Sequence, residues 1–228
     1  LNKEFCGEQH FEVLVRMRNE KGDLILPNSF IPAAERYNHI EEIDRWVLDK
    51  SIELLSRREI HNSCTCTLNL SGHSIASENF RAHVIDVLKT SGVSANQLCF
   101  EIAEAGAISH YADTIQFIHA LHESGCRFTL DDFGNGTSSF SYLKSLPVDC
   151  VKIDGNLVRN IINSPVDYSI VHSINEIAHA MGIRTVAKRV ENETIKDKLI
   201  DIGVDFGQGY GLKKPKPLTD DDCLRETA

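Results

Sequence analysis

Nearly every strand-like run in this chain stops, at its C-terminal side, on a polar or acidic residue: Asn69, Glu101, Asp131-Asp132, Lys152 with Asp154, Glu191 and Gln208. The runs cover 10–18, 64–70, 97–103, the segment leading into Asp131, 149–154, 184–190 and 205–211, seven strand candidates in all. Between them, apolar residues recur at helical spacing over 41–58, 77–90, 111–123, 166–181 and 194–202. Gly92, Gly125, Gly182 and Gly203 stand as stops after the last four. Strand and helix alternating with short connections is the pattern of an α/β fold with a parallel sheet. A closed parallel barrel brings every strand C-terminus to one face, where active sites lie, whereas an open doubly wound sheet concentrates them at one switch point. So many polar strand ends favour the barrel. In the first run Phe11, Val13, Val15 and Met17 alternate with Glu12, Leu14, Arg16 and Arg18, which predicts that Glu12 and Arg16 share a face. Gly22-Asp23 and Pro27-Asn28 then mark a loop. No domain boundary, internal repeat or low-complexity segment is evident, so 1–228 reads as one domain, with a Pro- and charge-rich tail over 213–228 that is expected to fray.

The chemistry gathers on one stretch. Phe128-Thr129-Leu130 delivers two adjacent carboxylates, Asp131 and Asp132, into the glycine- and serine-rich turn Phe133-Gly134-Asn135-Gly136-Thr137-Ser138-Ser139. Like charges a few Å apart raise each other's pKa, and burying them costs more still. A cation between them removes that cost; the plain alternative is a solvated Asp-Asp turn. Glu12, Asn69, Glu101 and Asp131 make four hard oxygen donors on four different strands, with Asp132 available to a second ion. Such donors suit Mg²⁺ or Mn²⁺. Two ions roughly 3.5–4 Å apart would clamp the attacking water and the leaving oxygen of a phosphodiester. Lys152 could hold a phosphate oxygen or the nucleophilic water, and the planar fork of Arg16 suits a second phosphate. Singly, each residue has an ordinary alternative: Asn69 as a helix cap, Lys152 as a solvated end charge. From spacing alone, a metal-dependent phosphoryl-transfer site stands beside a structural or sugar-binding barrel.

Bulk properties narrow the partners. The net charge of -9 carries no basic patch for a DNA or RNA polymer or for a membrane surface, although a small anionic ligand remains compatible if cations and a few arginines neutralise it. The seven cysteines include no CxxC pair, and Cys64, Cys66, Cys99, Cys126 and Cys150 sit in apolar runs, as expected of reduced core residues in a cytoplasmic protein. No signal peptide and no apolar run of transmembrane length is present, so no direct membrane insertion is expected, though the piece could belong to a larger membrane-anchored chain.

The ordered set of motifs resembles the EAL-type cyclic di-GMP phosphodiesterases over essentially the whole chain. Glu12-Val13-Leu14-Val15-Arg16 is similar to the family's signature Glu-Ala-Leu with its trailing arginine. Pro32-Ala33-Ala34-Glu35, Asn69-Leu70-Ser71, Glu101-Ile102-Ala103-Glu104, Asp131-Asp132-Phe133-Gly134, Lys152-Ile153-Asp154 and Gln208-Gly209-Tyr210 follow in the family's order and spacing. The resemblance implies a modified TIM barrel with an antiparallel first strand, and a site that cuts cyclic di-GMP to pGpG with Mg²⁺ or Mn²⁺. It implies that Glu12, Asn69, Glu101 and Asp131 hold one ion, and Asp131 with Asp132 the other. It implies that Lys152 orients the water and that Glu104 anchors the loop after Asp132. Leu14, Arg16, Asp154, Glu191 and Gln208 would seat the nucleotide. It also implies a homodimer through surfaces near that loop, to which Tyr142, Leu143 and Leu146 could contribute unless they simply pack a short helix. Sensory or cyclase-like domains upstream are a further implication, as is an effector partner.

Three departures stand out. The strand that usually opens the barrel is expected to be missing before Leu1. The turn reads Gly134-Asn135-Gly136-Thr137 where the family has Gly-Thr-Gly-Tyr. The family's Ala-Glu-Gly-Val-Glu appears as Ala187-Lys188-Arg189-Val190-Glu191, so Lys188 stands where a glutamate faces the second metal. A unit charge about 4 Å from another costs roughly 4 kcal/mol at an effective dielectric of ~20, and a dication doubles that. Lys188 could avoid part of this by swinging away or deprotonating. The second metal should bind weakly, and hydrolysis should be impaired or lost. Three functions follow: a degenerate receptor that keeps cyclic di-GMP binding, a working phosphodiesterase, or an interaction module that has lost the nucleotide.

Overall fold

A computed structural model describes residue 1 and residues 9–56, 64–135 and 140–217. Arg57-Arg58, Gly136-Thr137 and the tail from 218 lie outside the described residues. Contacts divide the chain into two compact units, one over Gln9–Arg127 and one over Phe128–Asp222 with Leu1.

The first unit runs β1 (Gln9–Val13), β2 (Met17–Arg18), β3 (Leu24–Ile25), α1 (Pro27–Arg36), α2 (Ile40–Ser56), β4 (Cys64–Leu70), α3 (Gly72–Ala76), α4 (Glu78–Ser91), β5 (Leu98–Ala103), α5 (Glu104–Ser109) and α6 (Tyr111–His122). β4 pairs parallel with β1 on one side and β5 on the other, aligning Glu12 with Thr67 and Asn69 with Glu101. Cys64, Cys66, Leu68, Leu70, Leu98, Phe100 and Ile102 are all buried, as parallel strands covered on both faces require. Phe117 packs between Phe80 and Phe100, with ring centroids 6.3 and 6.2 Å away. Each such side chain contributes about 1.5–3 kcal/mol by leaving water. Ser77 caps α4 by accepting from the Phe80 amide, and Gly92 ends the helix at φ 73°, a left-handed conformation that a glycine adopts without strain.

The predicted strand over 10–18 is shorter than the alternation suggests. It ends at Val13, and Met17–Arg18 turns into an antiparallel hairpin with Leu24–Ile25. The Asn19 carboxamide oxygen accepts from the amides of Lys21 and Asp23, and Gly22 sits at φ 86°, so a local turn wins over a longer strand. Arg16 therefore leaves the strand that carries Glu12. The stretch read as a loop at Pro27-Asn28 opens α1, with Pro27 in the first turn where its missing N–H costs nothing.

The second unit runs β6 (Arg127–Phe133), α7 (Phe140–Leu143), β7 (Cys150–Ile153), α8 (Gly155–Asn160), α9 (Pro165–Ala180), β8 (Arg184–Ala187), α10 (Glu193–Ile202) and β9 (Phe206–Gly207). β6, β7, β8 and β9 pair in that order, all parallel. Ser164 caps α9 and Asn192 caps α10, each accepting from the third amide on. A closed polar network ties α9 to β8: Asp205 accepts from the Thr185 amide at 2.8 Å and bonds His179 Nε2 at 2.9 Å, while the Thr185 hydroxyl donates to Asn175 Oδ1 at 2.6 Å. Leu143 and Leu146 are buried in this unit's core, where they pack the short helix, and Tyr142 is half-buried. The predicted runs over 184–190 and 205–211 shrink to four and two residues. Arg189 at φ 55° ends the first, and the backbone of Gly209 lies against that of Val190 in place of a longer ladder.

Candidate active site

In the first unit the parallel register puts three of the predicted ligands, Glu12, Asn69 and Glu101, on one face of adjacent strands. Glu12 lies near the C-terminal end of β1, Asn69 at that of β4, and Glu101 beside Asn69 in β5. Asn69 Nδ2 donates to Glu12 Oε1 at 2.8 Å. Glu101 is only 2% exposed, and Glu104, at the first turn of α5, is also buried. The helix-cap alternative for Asn69 fails, because Ser71 is the residue that caps α3 and accepts from the Ser74 amide. Arg16 donates to the Val15 carbonyl at 2.9 Å and borders a shallow groove of about 300 Å³ walled by Phe30, Ile43 and Trp46. Leu14 is exposed just before it.

Asp44 was missed in the sequence. Its carboxylate accepts from the Ser71 amide at 3.0 Å and the Ser74 hydroxyl at 2.7 Å, pinning the turn that directly follows Asn69. Burial pushes this carboxyl above the usual carboxylate range, and the serine hydrogen bonds restrain the rise. The signal was available: an acid on the helix face shared with the buried Val47, Leu48 and Ser51.

In the second unit, β6 pairs Leu130 with Val151 and Phe133 with Ile153. Asp131 and Asp132 together thus oppose the single residue Lys152, a β-bulge, and Asp132 takes φ 56°. Regular strand geometry would point adjacent side chains to opposite faces. The bulge instead lets both carboxylates reach one cation, the Lys188 ammonium. Lys188 Nζ donates to Asp131 Oδ1 and Oδ2 at 2.8 Å each and to Asp132 Oδ1 at 2.7 Å. Burial alone would lower the lysine's pKa, but the two carboxylates outweigh it and hold the group above its ordinary value. Lys188 therefore does not swing away from the pair, and the two carboxylates favour its charged form.

Lys152 is buried within β7, which rules out a solvated end charge. Asp154 caps α8, accepting from the Asn156 amide at 2.8 Å. Gln208 is positioned by its backbone: its N–H donates to the Ala187 carbonyl at 2.8 Å and its carbonyl accepts from the Val190 amide at 3.0 Å. Glu191 is exposed.

A profile of the EAL domain matches residues 6–215. The chain belongs to the EAL domain family. Curated relatives of this EAL domain include the cyclic di-GMP phosphodiesterase PdeB of Shewanella oneidensis, 39% identical over 211 residues, covering 92% of this chain and 25% of the relative. The cyclic di-GMP phosphodiesterase PdeF of Escherichia coli is 35% identical over 227 residues, covering 97% and 30%. The chain thus spans about a quarter to a third of the length of these relatives. Among solved structures, the FimX EAL domain of Pseudomonas aeruginosa bound to c-di-GMP superposes with a TM-score of 0.86 at 28% identity, covering 92% of this chain and 84% of that one. A phosphodiesterase solved as a c-di-GMP complex, PaMucR, gives 0.84 at 29% identity, covering 90% and 84%. The α/β, TIM-barrel-like class expected from the strand–helix alternation is that of the EAL domain. No described helix is long and apolar enough to cross a membrane.

The family implies divalent cations, and the two halves of the donor set differ in how they suit them. Glu12, Asn69 and Glu101, on adjacent strands, carry hard oxygen donors of the type that suits one. Asp131 and Asp132 do not fit a second, because the Lys188 ammonium already lies between their carboxylates. Among the described residues, no group of three or more His, Cys, Asp or Glu side chains is arranged to hold a metal ion unaided.

Proposed function

We propose that this EAL domain binds cyclic di-GMP and hydrolyses it to pGpG slowly or not at all. The observation that carries the reading is the ion pairing of Lys188 with both Asp131 and Asp132. Lys188 stands where the family's Ala-Glu-Gly-Val-Glu motif has its first glutamate, and an ammonium at that place opposes a second dication. Without that ion, one clamp on the leaving oxygen and part of the water activation are lost; removing a single comparable stabilising group costs about 10²–10³ in rate. Glu12, Asn69 and Glu101 would hold the remaining Mg²⁺ or Mn²⁺. Arg16 and Leu14, with Asp154, Glu191 and Gln208, would meet the nucleotide, Lys152 would orient water and Glu104 would anchor the loop after Asp132. A homodimer and an effector protein would carry the signal onward, in the cytoplasm.

A second reading, a working phosphodiesterase, is favoured by relatives that are cyclic di-GMP phosphodiesterases at 39% and 35% identity. One experiment separates the two. The protein and its K188E variant are incubated with cyclic di-GMP and Mg²⁺, then Mn²⁺, while calorimetry follows binding. The receptor reading expects binding by both and pGpG from K188E alone. Comparable pGpG from the unmodified chain establishes the phosphodiesterase, and absence of binding by either protein leaves only an interaction module.

A further inference from the structure

The bulge at Asp131-Asp132 places three carboxylate oxygens within 2.7–2.8 Å of one nitrogen. An ammonium has three N–H donors, so Lys188 has none left for a phosphate, a water or a base. Its task is internal. Two neighbouring features hold it in place. Arg189, next along the chain, turns the backbone through the left-handed region at φ 55°, a conformation that a residue with a side chain rarely adopts unless its surroundings impose it. Those surroundings are a glycine and a carboxamide: the Arg189 side chain lies along Gly155, where a Cβ would stand 2.5 Å from Arg189 Cδ, and Nη1 donates to Asn156 Oδ1 at 3.1 Å. The turn at Arg189 sets the direction from which Lys188 arrives.

We infer that Lys188 is a tethered counter-ion: it holds Asp131 and Asp132 side by side as a second divalent cation would, so the pair keeps its shape with no such ion and takes none up. The inference shares with the proposed function the view that this carboxylate pair is where a second ion would sit. Its test uses Mn²⁺ without nucleotide, so the two can fail separately.

Mn²⁺ is titrated into the protein, K188M and K188E, and the free ion is read by electron paramagnetic resonance. Each variant is expected to take up one more Mn²⁺ per chain than the unmodified protein; equal uptake by all three overturns the inference. A second measurement needs no variant. Under mild acetylation of the native chain, Lys188 is expected to react several-fold more slowly than the exposed Lys21 and Lys89, with or without millimolar Mn²⁺. If Mn²⁺ brings the reaction of Lys188 up to that of Lys21, the cation displaces the lysine and the tethered counter-ion is refuted.

Discussion

Lys188 donates to both oxygens of Asp131, each at 2.8 Å, across 57 residues of sequence. The contact joins the residue after the end of β8 to the bulge in β6 and leaves the two adjacent carboxylates compensated by one protein cation.

Replacing Lys188 by Met should therefore destabilise the fold by about 1–2 kcal/mol, a figure kept modest because Asp132 is half exposed. The pH dependence has a definite sign. The folded lysine holds its proton above the ordinary 10.5, so its stabilisation is complete below that value and is lost as pH rises through the raised one. Urea unfolding of the two proteins should give curves that converge at strongly alkaline pH. A constant gap at every pH would dismiss the ion pair as the cause.

Asp44 offers a test of the turn after Asn69. D44N keeps an oxygen to accept from the Ser71 amide and should cost under about 1 kcal/mol, whereas D44A strands that amide and the Ser74 hydroxyl and should cost about 2 kcal/mol. The folded carboxyl is raised above its usual 3.8, so its contribution is present below that pH and lost as pH climbs through the raised value. D44N should abolish this acid-side trend, measured by chemical unfolding between pH 3 and 6.

Glycine at 209 is required by close approach: a Cβ there would overlap the backbone of Val190. G209A should cost at least about 2 kcal/mol and loosen the turn that presents Gln208 and Glu191. Gly106, within α5, has nothing in reach of such a Cβ, so G106A should be neutral or stabilising by about 0.4–1 kcal/mol. Similar thermal melts for the two would contradict the contact.

Burial, with a contribution from nearby Cys99, pushes the Cys126 thiol up to about 12. In the native protein at pH 8, iodoacetamide should leave Cys126 unmodified while the half-buried Cys150 reacts, as read by peptide mass spectrometry. Early alkylation at Cys126 would mean that the first unit opens readily.

The helices and the central strands were legible because their signals are local. Ser77 and Gly92 bracket α4, Asn192 and Gly203 bracket α10, and β4 spans 64–70 as its apolar run predicts. The strand ends were less legible. Arg16 was assigned to the face of Glu12 by alternation, and the turn at Asn19 and Gly22 overrode it with hydrogen bonds that a period of two does not encode.

The order of the motifs was enough to place the chain among EAL domains and to single out Lys188, because residue identity and spacing survive without coordinates. What the lysine does was decided in three dimensions. A strand would send Asp131 and Asp132 to opposite faces, and only the two-for-one bulge against Lys152 turns both toward a single ammonium. Residue type is a property of one position, whereas a shared cation is a property of two backbone paths that meet, and pairing and torsion angles at Asp132 and Arg189 set where they meet.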